Sequence, residues 1–191
     1  EIERDVLGAT RTFAAWNHDV LEDPRLHIVF GDGRNVLATT RETFDVITAD
    51  PIHPWSGGAA YLYTSEYFAS VADHLGPGGI ASQWLPLYEL TVEDLKTVVR
   101  TFAEQFEHTT IFATYYDAEL IGSDAPITFD EARLARRLAD PAIGSDLRSV
   151  DLGTVDDLLT AFVAGKEGVR RFTEGGRVNT DDNLWLEFSA P

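Results

Sequence analysis

Three carboxylates stand where apolar runs stop. Asp50 closes the run containing Phe44, Val46 and Ile47, and a loop with Pro51, Pro54, Gly57 and Gly58 leads on to Tyr61 and Tyr63. Asp32 lies between Gly31 and Gly33, just after the apolar residues 26–30, and Glu1 or Glu3 flanks Ile2 at the start. Open α/β sheets bind ligands at the carboxyl ends of their strands, and successive strand ends line one crevice. There, an acid after the second strand can accept both cis hydroxyls of a ribose. One after the third can accept an exocyclic adenine amine, with flanking glycines letting the backbone approach the base. Each signal alone has a plainer explanation, because Asp before Gly or Pro commonly forms turns. In this order, with Asp50 next, they read as an adenosine pocket beside a further acid.

The surrounding elements should hold these acids at one sheet edge. The apolar stripe Val6, Leu7, Thr10, Phe13 and Ala14 predicts a helix over residues 4–17. Strands are expected at 26–30, 44–49, 80–84, 109–113 and 119–122, and a short helical turn at 34–38. A helix over 65–75 should be stopped by Gly76, Pro77, Gly78 and Gly79. Thr91 should open another helix, boxed by Asp94, with Leu95, Val98, Val99, Phe102 and Phe106 as its core stripe. Strands alternating with helices at this spacing predict an α/β fold with a mostly parallel sheet. From Pro126 the pattern turns to short helices: one opened by a Thr128–Glu131 box, others at 154–164 and 166–172, and a last strand at 184–188. The expected division is a Rossmann-like domain at 1–125 and a small helical C-terminal extension at 126–191.

Composition limits the function classes. With 191 residues and 44% apolar content the chain suits one globular domain with a small appendage. It has no cysteine, so neither disulfides nor a thiolate zinc site is available, and no two histidines show zinc spacing; no metal is expected. No apolar run reaches the ~20 residues that span a bilayer, so a cytoplasmic location is the expectation. The net charge of −17 repels nucleic acid and draws small cations, although solubility or salt adaptation is the plainer explanation, since net charge speaks of solubility before function. The sequence holds no methionine and opens within a strand-like run, so residues upstream are expected.

Several stretches together resemble the spermidine synthases. They are Glu1-Ile2-Glu3, Asp23-Pro24-Arg25, Gly31-Asp32-Gly33-Arg34, Phe44-Asp45-Val46-Ile47, Asp50 with Pro54, and Leu62-Tyr63-Thr64. These enzymes are aminopropyltransferases of the S-adenosylmethionine-dependent superfamily, with a Rossmann-like fold. Gln83-Trp84-Leu85-Pro86-Leu87-Tyr88 and the ending Asn179-Thr180-Asp181-Asp182 are more like the synthase-like domains often fused to membrane helices. The resemblance implies that Glu1 holds the ribose, that Asp32 with Gly33 meets the adenine, and that Asp50 is the catalytic acid. Its donor would be decarboxylated S-adenosylmethionine and its acceptor a small cationic amine. It leaves open membrane helices upstream, which would tether the domain to the inner face of a membrane, and a homodimer. It also implies a sheet lacking its first strand, which belongs between the second and fourth, so this chain alone is expected to be unstable or to borrow a strand.

One departure matters for the substrate. Spermidine synthases carry a second aspartate three residues after the catalytic one, and here that position is His53. An imidazole still offers an acceptor but removes a fixed charge from a site meant for a dication, which puts putrescine in doubt. His53, Tyr63 and Gln83 are the expected substrate contacts. Trp55, Tyr61 and Tyr63 could grip an amine through cation–π contacts, although aromatics more often pack. His18, His27, His74 and His108 read as structural or solvated, Arg170 and Arg171 as a solvated face, and Asp181 and Asp182 as turn caps. Two other functions fit the same residues: methyl transfer from S-adenosylmethionine, and a non-catalytic nucleoside-binding domain of a membrane protein. A nicotinamide fold also places an acid after its second strand, but it has neither the Gly31-Asp32-Gly33 turn nor the lid after Asp50.

Overall fold

Residues 1–189 are described by a computed structural model. They fall into two units, Glu1–Glu42 and Thr43–Pro191. In the first, the expected single helix is interrupted: α1 (Asp5–Thr12) and α2 (Ala14–Asn17) are separated at Phe13, whose φ of −102° and ψ of 17° leave the helical well. Asn17 Nδ2 donates to Thr10 O at 2.8 Å across the break. His18 and Asp19 then both take left-handed backbone, and the chain turns. The strand expected at 26–30 does not form. The segment meets Glu1, whose N donates to Val29 O at 2.9 Å and whose O accepts from Gly31 N at 3.0 Å, while Leu26 N turns back to Asp23 O at 3.0 Å. A strand needs a ladder along its length, and one residue does not supply it. Asp32 caps α3 (Gly33–Thr39), accepting from Asn35 N at 2.9 Å.

The second unit is built on one five-stranded sheet. Its elements up to the C-terminal hairpin are β1 (Phe44–Ala49), a 3-10 turn at Ala59–Tyr63, α4 (Ser65–Asp73), β2 (Leu75–Pro86), α5 (Val92–Ala103), β3 (His108–Ala113) and β4 (Asp117–Ser123). Then come α6 (Glu131–Leu138), α7 (Pro141–Ser149), α8 (Val155–Thr160), β5 (Phe162–Ala164), α9 (Lys166–Thr173) and α10 (Trp185–Ser189). The spatial strand order is β1-β2-β4-β3-β5. The α/β class holds, but parallel pairing is confined to β1 with β2; the other three pairings are antiparallel. A helical crossover joins β1 to β2, whereas β3 and β4 are joined by a tight turn at Tyr115 and Tyr116, and a tight turn allows only antiparallel partners. Among the described residues β1 is an edge strand, and Val46 on it is 57% exposed.

One sheet face is dry. Ala81, Gln83 and Leu85 of β2 with Ala118 and Leu120 of β4 are buried, and they pack with Tyr67, Phe68 and Val71 of α4 and Val98, Val99 and Phe102 of α5. Each such large apolar side chain contributes about 1.5–3 kcal/mol on burial. Gly122 belongs to this fit, since a Cβ there would lie 2.5 Å from Phe106 and 2.8 Å from Phe102. The helix entries are specified locally: Thr64 accepts from Tyr67 N at the start of α4, and Thr91 with Asp94 forms the expected box on α5. The glycines after α4 are taken into an irregular start of β2 where the register with β1 shifts, and Gly78 has a φ of +73°.

The C-terminal third departs more from expectation. The cap of α6 is Asp130, accepting from Arg133 N at 2.9 Å, and the Thr128–Glu131 box is not made. The helix expected over 154–164 stops at Thr160, and Phe162–Ala164 joins β3 as an edge strand. Phe162 meets Phe112 edge-on at 5.9 Å, a cross-strand contact that outweighs helix continuation. The last predicted strand is instead α10. Thr180 and Asn183 close the turn before it, Asn183 Oδ1 accepts from Trp185 N at 3.0 Å, and Asn179 Oδ1 accepts from Leu186 N at 3.3 Å, which winds the segment. No helix among the described residues is long and apolar enough to cross a membrane.

Candidate active site

β1 and β2 run in register with Ala49 opposite Gln83, so Asp50, the next residue, is carried to the level of Trp84. The acid is exposed at the carboxyl end of the strand. Beyond it the loop folds back on itself. Ser56 N donates to His53 O at 2.9 Å and Ala59 N to Ser56 O at 2.8 Å, and Gly58 supplies the left-handed backbone (φ +83°) that opens the 3-10 turn. This turn buries Tyr63 completely.

His53 is held by aromatics. Trp55 stacks on it at 4.8 Å with the ring planes 18° apart, Tyr88 meets it edge-on at 5.4 Å, and Trp84 tilts against it at 6.1 Å. Its Nε2 shares a 2.8 Å hydrogen bond with Tyr88 Oη. On the other side, Tyr63 Oη donates to Ile52 O at 3.4 Å. Burial pushes the Tyr63 phenol well above its ordinary range, the Asp50 charge pushes it the same way, and a hydrogen bond from Gln83 opposes them. Tyr63 therefore stays neutral and offers a proton, not a charge. Gln83 is 2% exposed, and its Nε2 donates to Trp84 O at 3.2 Å.

The sheet face opposite Gln83, to which Trp84 belongs, contributes two groups that sequence reasoning missed. Glu119 on β4 faces Trp84 directly, and Ser82 Oγ donates to its carboxylate. Burial raises the Glu119 pKa, and the nearby charge of Asp50 adds to that rise. Asp117 accepts from Trp84 Nε1 at 3.2 Å and fixes the indole. The available signal was a charge set inside the otherwise apolar alternation of Ala118, Leu120 and Ile121.

The predicted residues therefore fall into two groups. Asp50, His53, Tyr63 and Gln83 come together at the end of β1 and β2. Glu1, Asp32 and Gly33 lie in the first unit, where Glu1 O takes the Gly31 amide, Glu1 Oε1 accepts from Glu3 N at 2.8 Å, and Asp32 caps α3. The clefts elsewhere in the second unit lie away from this chemistry. One of about 410 Å³ is lined by Arg100, Glu107, Lys166 and Arg170, and one of about 260 Å³ is wholly apolar, around Leu95, Ile111 and Phe172.

The fold is that of solved spermidine synthases. The enzyme from Thermotoga maritima superposes with a TM-score of 0.67 at 18% identity, covering 91% of this chain and 58% of that one. A spermidine synthase in complex with the transition-state analogue AdoDATO gives 0.68 at 17% identity, with the same coverage of 91% and 58%. The spermine/spermidine synthase domain model matches residues 1–119, more than half of the sequence, and the chain belongs to that family. The polyamine aminopropyltransferase of Aeropyrum pernix is 29% identical over 185 residues, 90% of this chain and 58% of that protein. The chain thus spans a little over half the length of the relatives it matches.

Proposed function

We propose that the protein moves an aminopropyl group from decarboxylated S-adenosylmethionine to a small amine, with Asp50 as the proton acceptor. The observation that carries this reading is the position of Asp50 at the carboxyl end of β1, under an aromatic loop, in a chain of this family. An aliphatic amine, with a pKa of about 10, arrives protonated and cannot attack. The Asp50 carboxylate holds the ammonium and takes its proton. The nitrogen lone pair then forms a bond to the propyl carbon, the carbon–sulfur bond breaks, and its electron pair returns to the sulfonium, which leaves as a thioether. Because that leaving group is already good, positioning supplies much of the remaining acceleration.

In this reading Glu1, Asp32 and Gly33 hold the nucleoside of the donor. His53, Tyr63 and Gln83 shape the acceptor site, with Tyr63 and Gln83 able to donate or accept without adding charge. Transfer of label from the decarboxylated donor to an amine, abolished in Asp50→Asn and retained in Asp181→Asn, is the expected result. Absence of transfer to every member of a broad amine panel overturns the reading. Binding of intact S-adenosylmethionine in preference to the decarboxylated form would point instead to methyl transfer.

A further inference from the structure

Asp50 and Glu119 stand at one level of the sheet on either side of β2. Ala49 pairs with Gln83, which brings Asp50 level with Trp84, and Glu119 is the direct antiparallel partner of Trp84. The alternation agrees. Thr48 pairs with Ser82, so Thr48, Ser82 and Trp84 share a face, Glu119 is on it too, and the next residue of that parity on the first chain segment is Asp50. The Ser82 hydroxyl reaches the Glu119 carboxylate on this same face, which confirms the side on which that acid projects. Adjacent strands lie ~4.8 Å apart, so the two acids are roughly 10 Å apart at the backbone, with the Trp84 indole between them.

We propose that Glu119 is the second anionic anchor of the acceptor site, and that the acceptor is a short α,ω-diamine lying across Trp84, with one nitrogen at Asp50 and the other at Glu119. The inference rests on the amine-transfer reading above and adds to it the residue that sets acceptor charge. Two charge-assisted contacts of ~2.8 Å subtracted from the ~10 Å separation leave about 4–5 Å between the nitrogens, with the acids leaning outward for longer chains. The indole, fixed through its N–H by Asp117, offers a flat apolar surface for the methylenes and a cation-attracting face. His53, stacked on Trp55 and bonded to Tyr88, closes the loop side of the site as an aromatic wall. The negative charge absent at position 53 is thus supplied from β4. Glu119 acts as a specificity residue: it meets the nitrogen that does not react.

The test is amine binding, measured by calorimetry on the whole protein, with butane-1,4-diamine, propane-1,3-diamine and the single-charge butylamine as probes. Wild type should bind at least one diamine roughly tenfold or more tighter than butylamine, the effect of one hydrogen-bonded charge pair. Glu119→Gln, which keeps the Ser82 contact, should erase that preference while leaving butylamine affinity unchanged, and Glu119→Asp should restore part of it. Equal losses for all three amines, an undiminished preference in Glu119→Gln, or no preference in wild type overturns the proposal. Aminopropyl turnover is followed separately. Diamine preference without turnover would refute the transfer reading and keep the Glu119 site, and turnover without a Glu119-dependent preference would do the reverse.

Discussion

On one face of the sheet, Ala81, Gln83, Leu85, Ala118 and Leu120 lie beneath α4 and α5, closed to water. From the same strands, one residue out of step, Thr48, Ser82, Trp84 and Glu119 form a face that is half open and carries hydroxyls, an indole and an acid. Polar groups on the packed side are tied down. Asn179, fully buried, donates to Tyr63 O, accepts from Leu186 N, and receives Thr101 Oγ1 as acceptor for its own N–H. On the open side Glu119 is held through the Ser82 hydroxyl, which donates to its carboxylate. A two-residue period thus divides each strand between a packed side and an open side, and the proposed acceptor site draws on both, with Gln83 from the first and Glu119 from the second.

Substitutions on the two faces should therefore separate activity from stability. The largest effect is expected for Asp50→Asn, with turnover falling by roughly 10²–10⁴, the usual share of general acid–base catalysis. Its thermal midpoint should stay close to wild type, since the acid is exposed. A rate within tenfold of wild type would remove Asp50 from the chemistry. Phe102→Ala on the packed side should lose about 3–5 kcal/mol in urea unfolding, because Phe102 is fully buried against Phe68 and Phe106. Amine affinity per folded molecule should be unaltered; a change there would couple the two faces. Asn179→Ala is smaller, at about 1–3 kcal/mol, the cost of leaving the Tyr63 carbonyl and the Leu186 amide buried without partners.

The same division explains what the sequence disclosed. Periodicity located α5 and its box, because Thr91, Asp94 and the stripe through Phe102 are local signals within a few residues of one another. It located Asp50, because an acid ending an apolar run is also local. What it missed depends on partners distant in the chain. β5 exists because Phe112 offers Phe162 a neighbour, and α10 winds where a strand pattern was read because Asn179 and Asn183 capture its first amides. The run 26–30 has the composition of a strand and no ladder. Glu119 was missed for the same reason: its importance comes from facing Trp84 across a register that no single stretch of sequence reveals.

The finest distinction between the faces is the sign of their acid response. Asp94, at the start of α5, is 2% exposed. Burial pushes its carboxyl up, but the hydroxyls of Ser189 and Thr91, each at 2.6 Å, and the Thr91 N–H at 3.1 Å outweigh this and hold it below its ordinary 3.8. A depressed folded value stabilises the protein above the unfolded value and is lost as pH falls through the folded one. Asp94→Asn should therefore destabilise at pH 7, and the difference should close below about pH 3.8. Glu119 has the opposite sign, because its folded value lies above the ordinary 4.5. Its contribution is fully present below 4.5 and is lost as pH rises through the raised value, so ionised Glu119 costs stability at neutral pH. Glu119→Gln should then melt at or above wild type at pH 7, with the gap shrinking as pH falls toward 4.5. Thermal midpoints of both variants between pH 3 and 8 check this, and a Glu119→Gln variant that is less stable at pH 8 than at pH 5 relative to wild type would contradict it. A carboxylate that a neutral isostere would improve is not kept for stability, which agrees with the anchoring role proposed for Glu119.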